Sequence, residues 1–138
     1  LQVKLKRLDI DNRHRWEIAK YYCENITNPN IILPVASDFF SMDSFSDTNR
    51  GIYQSHIWHL FVIRYNHRDH LQKYLKQKGI QTVIHYPVPP HKQLAYKEWY
   101  DLSFPLTEKL HDEVLSLPIS QLSKIEDCEM IVNNLNNL

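Results

Sequence analysis

The stretch IWHLFVIRYNHRDHLQKYLKQKGIQT at residues 57–82 decides the fold of this chain. The run at 56–63 becomes continuously apolar towards its end at Ile63, which is typical of a strand buried on both faces, so we expect a central strand over 53–65. Asn66 is expected to cap a helix, with Asp69 as the acidic partner of a capping box. Gly79 is expected to end that helix as its C′ residue. The stretch therefore predicts a strand followed by an inward-packing helix.

The rest of the chain predicts short strands and helices on both sides of this unit. Strands are expected where β-branched or apolar runs stop at proline, at 31–33, 80–86 and 115–117. Helices are expected at 1–26, 93–99 and 108–114, and after Ser123, with Thr107 and Ser123 as caps and Glu126 completing a capping box. Because one helix joins the strands at 53–65 and 80–86, they could be parallel through a crossover. The sequence predicts a small sheet with helices packed on it.

Composition excludes several classes of function. The chain has 138 residues, with 43% hydrophobic residues and a formal net charge of zero, which suits one globular domain and argues against nucleic acid as the main partner. No apolar run has the length of a membrane span, and no secretory signal opens the chain, so we expect a cytoplasmic protein. Cys23 and Cys128 lie in predicted helices and are expected to be buried thiols. With only Gly51 and Gly79, no glycine-rich phosphate loop is possible.

Eight histidines raise the question of a metal site or a catalytic group. His56 and His59 lie on a predicted strand, where a spacing of three points them to opposite faces. His67 and His70 lie at an exposed helix start, without a carboxylate or cysteine at ligand spacing. No serine stands in a nucleophile elbow, and neither cysteine has an activating neighbour. We therefore expect no metal and no hydrolytic triad.

The stretch TVIHYPVPPH at residues 82–91 is the best candidate for a binding site. Its prolines restrict the backbone to extended geometry and stop the predicted strand after Tyr86. His85, Tyr86 and His91 then stand at the two ends of a stiff spacer. Imidazole and phenol groups can donate hydrogen bonds to phosphate or sugar oxygens. The alternative is a pair of strand-end side chains that only complete the sheet.

Four segments resemble the DegT/StrS family of pyridoxal-phosphate-dependent nucleotide-sugar aminotransferases: LQVKLKRLDIDNRHRWEIAKYY, the stretch at 57–82, IHYPVPPHKQLAY and FPLTEKLHDEVLSLPIS. The resemblance implies an α+β, two-layer small domain with a mostly antiparallel sheet and flanking helices, like that of fold-type-I aminotransferases. It implies a linking helix at 1–26 and a C-terminal small domain at 27–138, without the N-terminal cofactor domain. By position it names His85, Tyr86 and His91 as substrate contacts. Trp58 and His59 match a strand of the family and are expected in the core and the cleft wall.

The resemblance also implies what this chain lacks. None of its ten lysines stands in a segment like the family's Schiff-base motif, and the aspartate that the family sets against the pyridine nitrogen has no counterpart. The chain starts within a helical pattern, just past the family's Asn-x-Arg stretch, and is expected to be part of a longer protein. We expect pyridoxal phosphate in the intact enzyme and none in this chain, which alone would be inactive and would contribute no catalytic residue.

The intact enzyme is expected to move an amino group, usually from glutamate, onto a keto-deoxysugar nucleotide for polysaccharide or lipopolysaccharide biosynthesis, as a homodimer with shared active sites. Two alternatives remain open. One is a non-catalytic sensor or a dehydratase-like relative on the same fold. The other is a stand-alone binding module with no enzyme attached.

Overall fold

A computed structural model describes residues 2–35, 37–40 and 56–138 of the chain. It contains the helices and strands α1 (Gln2–Leu5), α2 (Leu8–Asn25), β1 (Phe61–Arg64), α3 (Arg68–Gln77), α4 (Pro105–Glu113), β2 (Val114–Leu117) and α5 (Ile125–Asn136). Three short 3₁₀ helices lie at Ser37–Phe40, Pro90–Lys92 and Leu94–Trp99.

The sheet is small and antiparallel, as expected. β1 and β2 pair from Phe61 opposite Leu117 to Arg64 opposite Val114. Isolated antiparallel bridges join Ile32 to Arg64 and Val83 to Ser116. The chain around Val83 therefore runs in the same direction as β1, with β2 between them. Helices flank this sheet, and the predicted α+β architecture is confirmed.

The predicted strands were too long. The central strand begins at Phe61 and not at residue 53, and residues 53–55 lie outside the described part. Trp58 has a φ of 52°, in the left-handed region, which interrupts the extended backbone required for a strand. The predicted strands at 31–33 and 80–86 are reduced to single bridges. Proline follows both segments and cannot donate to a sheet ladder.

The N-terminal helical region is divided, where a single helix over 1–26 was expected. A turn at Lys6 and Arg7 separates α1 from α2. α1 buries no residue, and the buried face of α2 begins only at Trp16 and continues through Ala19 and Tyr22 at helical spacing. Leu5 and Leu8, which precede this buried face, are exposed. In the described residues no helix is long and apolar enough to cross a membrane.

α3 packs on the sheet through Leu71 and Leu75, which are fully buried one helical turn apart. Gly79 follows the helix with a φ of 78°, as predicted. The N–H of Ile80 donates to the carbonyl of Leu75 at 2.9 Å, and that of Gly79 to the carbonyl of Lys76 at 3.0 Å. These two bonds form a Schellman motif, which satisfies the last carbonyls of the helix.

The predicted N-terminal helix caps were wrong. α3 starts after His67 without a side-chain cap, and Asp69 instead pairs with the guanidinium of Arg68. α4 begins at Pro105, so Thr107 lies inside it and does not cap it. Proline suits a first helical position because its φ is preset and it has no N–H to satisfy there. α5 starts after Lys124, and Ser123 bonds the hydroxyl of Ser120 instead of capping the helix.

α5 packs against α2 in the core. The side-chain amide of Asn136 ties the ends of the two helices together, because it accepts from the N–H of Thr27 and donates to the carbonyl of Asn25, both at 2.8 Å. Cys23 and Cys128 are buried free thiols, as expected. Burial raises the pKa of Cys23 to about 12 and also raises the pKa of Cys128.

Candidate functional site

The segment 85–91 leaves the sheet directly after the bridge at Val83. The backbone of Val83 exchanges hydrogen bonds with Ser116 of β2, at 2.8 and 3.3 Å. Beyond this bridge the chain contains three prolines and ends in the 3₁₀ helix Pro90–Lys92. One end of the segment is therefore attached to β2, while the prolines limit its bending.

His85 is fixed to the sheet by its side chain as well. Its Nδ1 lies 2.9 Å from the hydroxyl of Ser116, which is buried. The ring is half-buried and meets the ring of Tyr86 edge-on, with 5.5 Å between centroids. The hydrogen bond to Ser116 uses one ring nitrogen and leaves Nε2 for another partner.

Tyr86 is the exposed member of the predicted trio. The residue is 65% exposed. The hydroxyl makes no hydrogen bond to the described residues, whereas the backbone carbonyl accepts one from Nδ1 of His111 on α4. The structure therefore holds the backbone of Tyr86 and leaves its phenol open to solvent.

His91 is buried, with only 4% of its surface exposed. Its Nε2 lies 2.9 Å from Oε1 of Glu108 on α4, and its ring meets that of Phe104 edge-on at 4.9 Å. The same carboxylate oxygen accepts from the N–H of Phe104 at 3.0 Å. The backbone bond from Phe104 first, and the bond from His91 second, lower the pKa of the Glu108 carboxyl.

α4 is itself attached firmly to the sheet. Nη2 of Arg64 lies 2.7 Å from Oε2 of Glu113, a carboxylate that is buried. The buried guanidinium of Arg68 donates to the carbonyls of His111 and Val114, at 3.1 and 3.4 Å. A cation at the C-terminal end of α4 also complements the helix dipole. The helix that contacts segment 85–91 is thus held by β1 and α3.

Trp58 and His59 have different surroundings. Trp58 is 2% exposed and packs in an aromatic cluster, stacked on Phe40 with 5.8 Å between ring centroids. His59 is exposed. No hydrogen bond or ring contact described in the structure joins either residue to segment 85–91. Trp58 is therefore a core residue, and the structure does not bring His59 together with the predicted trio.

Ser116, Glu108 and His111 contact the segment and were not predicted from the sequence. The spacing of Glu108 and His111 puts them on one helical face, and this local signal was present in the sequence. Their partners lie 17 and 25 residues away, however, and no periodicity indicates such pairs. Within the described part of the chain, no group of three His, Cys, Asp or Glu residues could hold a metal ion.

Solved structures that match the chain define its class. The chain matches S. venezuelae DesV in complex with a ketimine intermediate at a TM-score of 0.81 and 30% identity, over 99% of this chain and 34% of that one. It matches NtdA from Bacillus subtilis, solved with bound cofactor PMP, at a TM-score of 0.72 and 25% identity, over 93% and 28%. The fold is that of one part of a sugar aminotransferase.

The sequence comparisons name the family. The chain belongs to the DegT/DnrJ/EryC1/StrS aminotransferase family, whose pattern matches residues 1–136. It is 47% identical to the dTDP-3-amino-3,6-dideoxy-alpha-D-galactopyranose transaminase of Aneurinibacillus thermoaerophilus, over 99% of this chain and 34% of that protein. It is 38% identical to the erythromycin biosynthesis sensory transduction protein EryC1 of Saccharopolyspora erythraea, over 98% and 34%. The chain thus spans about a third of the length of these relatives.

Members of this family use pyridoxal phosphate, which needs a lysine amine at the site of attachment. The lysines of the described residues are on the surface of the helices and loops, and none is buried. These residues therefore do not fit a complete cofactor site.

Proposed function

We propose that this chain is the C-terminal small domain of a nucleotide-sugar aminotransferase, in which it forms one wall of the substrate site. The supporting observation is the 47% identity, over nearly the whole chain, to a transaminase named for a dTDP-amino sugar. The reaction would transfer the amino group of glutamate to a keto-deoxysugar nucleotide, with 2-oxoglutarate as the second product. In this proposal residues 1–26 are the linking helical region and 27–138 the small domain.

Segment 85–91 would form the contact with the substrate. Tyr86 supports this proposal because its phenol is exposed and free to donate to a phosphate or sugar oxygen. His85 would contribute through Nε2, since Nδ1 is engaged by Ser116. His91 was expected to touch the substrate as well, but burial and its bond to Glu108 favour a role in holding the segment. Trp58 would support the cleft from the core, and His59 would line its wall.

The cofactor and the partner subunit belong to the rest of the proposal. Pyridoxal phosphate would supply the amino-transfer chemistry, and its attachment would lie in the part of the protein outside this chain. We further propose that the full-length enzyme is a cytoplasmic homodimer. This chain alone would then be inactive.

The test is a transamination assay on the full-length protein loaded with pyridoxal phosphate. The protein would receive 2-oxoglutarate and dTDP-3-amino-3,6-dideoxy-α-D-galactopyranose, with the corresponding UDP-amino sugars in parallel, and glutamate formation would be measured. We expect glutamate with at least one nucleotide sugar and none with this chain alone. Absence of glutamate with all of them would refute the proposed function.

A non-catalytic sensor on the same fold is the second candidate. It is favoured by the 38% identity to a relative named as a sensory transduction protein. A full-length protein that binds the amino sugar nucleotide but forms no glutamate would support this candidate. Binding and turnover together would exclude it.

A further inference from the structure

We infer that Glu108 and His111 of α4 are positioning residues, which hold the two ends of segment 85–91 and thereby set the orientation of Tyr86 towards a nucleotide-sugar substrate. This inference rests on the proposed function. The two residues are three positions apart, so they lie on one face of the helix. His111 contacts the start of the segment, and Glu108 contacts its end.

His111 fixes the backbone of Tyr86. A carbonyl oxygen can only accept a hydrogen bond, so the proton in the bond between His111 Nδ1 and the Tyr86 carbonyl belongs to the imidazole. The bond therefore selects the Nδ1–H tautomer of His111. Because a peptide unit is planar, holding this carbonyl restricts the rotation of the backbone that carries the phenol.

Glu108 fixes the other end through His91. Its carboxylate lies 2.9 Å from Nε2 of the buried imidazole and 3.0 Å from the N–H of Phe104. A carboxylate accepts only, so both nitrogens donate to it. These bonds join the end of the segment to the start of α4.

The helix can act as a support because it does not stand alone. Glu113 at its C-terminal end pairs with Arg64 of β1, and the guanidinium of Arg68 donates to the carbonyl of His111 in its last turn and to that of Val114, which follows the helix. The bond between His85 and Ser116 adds a third attachment, directly to β2. An exposed side chain on a short loop thus gains the rigidity of the sheet, which is what a binding residue requires.

Steady-state kinetics of variants of the full-length protein test this inference. His111→Ala removes the donor to Tyr86, while His111→Asn keeps an N–H near the position of Nδ1. Asp112→Ala is the matched control, because Asp112 is an exposed residue of the same helix. With dTDP-3-amino-3,6-dideoxy-α-D-galactopyranose and 2-oxoglutarate, we expect His111→Ala to raise the KM for the amino sugar nucleotide about 10-fold. We expect the KM for 2-oxoglutarate to stay unchanged.

The conservative variant distinguishes positioning from general damage to the fold. His111→Asn should return the KM for the nucleotide sugar to within about twofold of the wild type, and Asp112→Ala should match the wild type. In parallel, Glu108→Gln should act more mildly than Glu108→Ala, because an amide oxygen still accepts from His91. Equal increases in both KM values, or no rescue by His111→Asn, would overturn the inference.

Two further measurements do not depend on turnover. Nitrogen-15 NMR should find His111 as the Nδ1–H tautomer, and an Nε2–H tautomer would overturn the inference. Calorimetric titration with the same nucleotide sugar should show about 10-fold weaker binding for His111→Ala. If the wild type turns over and the KM and binding of the nucleotide sugar are unchanged in His111→Ala, only the positioning role is refuted. If the wild type shows no turnover but His111→Ala binds the nucleotide sugar more weakly, the proposed aminotransferase activity is refuted and the positioning role is supported.

Discussion

Replacement of Tyr86 by phenylalanine removes one exposed hydroxyl and should separate binding from stability. Tyr86 is 65% exposed, and its hydroxyl makes no hydrogen bond to a described residue, so the free energy of unfolding should change by less than about 0.5 kcal/mol. A hydrogen bond to a charged phosphate is worth about 1.5–3 kcal/mol. Because about 1.4 kcal/mol is a factor of ten, kcat/KM for the nucleotide sugar should fall by roughly 10- to 100-fold.

The assay is steady-state kinetics of the full-length protein, paired with urea unfolding of wild type and variant. Tyr100→Phe is the matched control, because Tyr100 is another exposed phenol outside segment 85–91. The control should leave both quantities unchanged. If Tyr86→Phe leaves kcat/KM unchanged, or lowers stability by more than about 1 kcal/mol, then Tyr86 does not present its hydroxyl to the substrate.

Three further predictions concern the framework that supports the site, and each is measured by urea unfolding. Glu113→Ala should lower the free energy of unfolding by about 2–3 kcal/mol, which is below the range for fully buried ion pairs because the side chain of Arg64 is 30% exposed. A loss under about 0.5 kcal/mol would contradict this prediction. Tyr22→Phe should cost about 1 kcal/mol, since the carbonyl of Pro118 loses a donor at 2.8 Å; unchanged stability would argue against that bond. Finally, because the pKa of Glu108 is lowered in the folded state, its ionised carboxylate stabilises the fold. This stabilisation is fully present above the usual pKa of 4.5 and is lost as the pH falls through the folded-state pKa. Glu108→Gln should therefore show a shallower loss of stability in acid than the wild type, and identical pH profiles would refute the linkage.

Local patterns were sufficient for several parts of the fold. An inward-packing helix was expected, and its buried residues Leu71 and Leu75 stand four positions apart, a spacing that the sequence shows directly; Gly79 ends this helix as expected. These features depend on residues within two turns of one another, so sequence spacing alone reveals them. Helix starts were predicted less well. Asn66 and Ser123 have side chains suited to capping, but α3 and α5 begin one residue later than expected, after His67 and Lys124, and without a side-chain cap.

For the candidate site, too, some features follow from the sequence and others only from the tertiary structure. The sequence by itself determined the family, the stiffness of the proline segment and the presence of His85, Tyr86 and His91 within it. Only the tertiary structure decided which of them faces solvent. His91 is buried against Glu108, while Tyr86 is held by its carbonyl and keeps its phenol free. The physical reason is that these partners come from α4, and a contact across 17 or 25 residues depends on how α4 packs against the sheet and not on any local spacing.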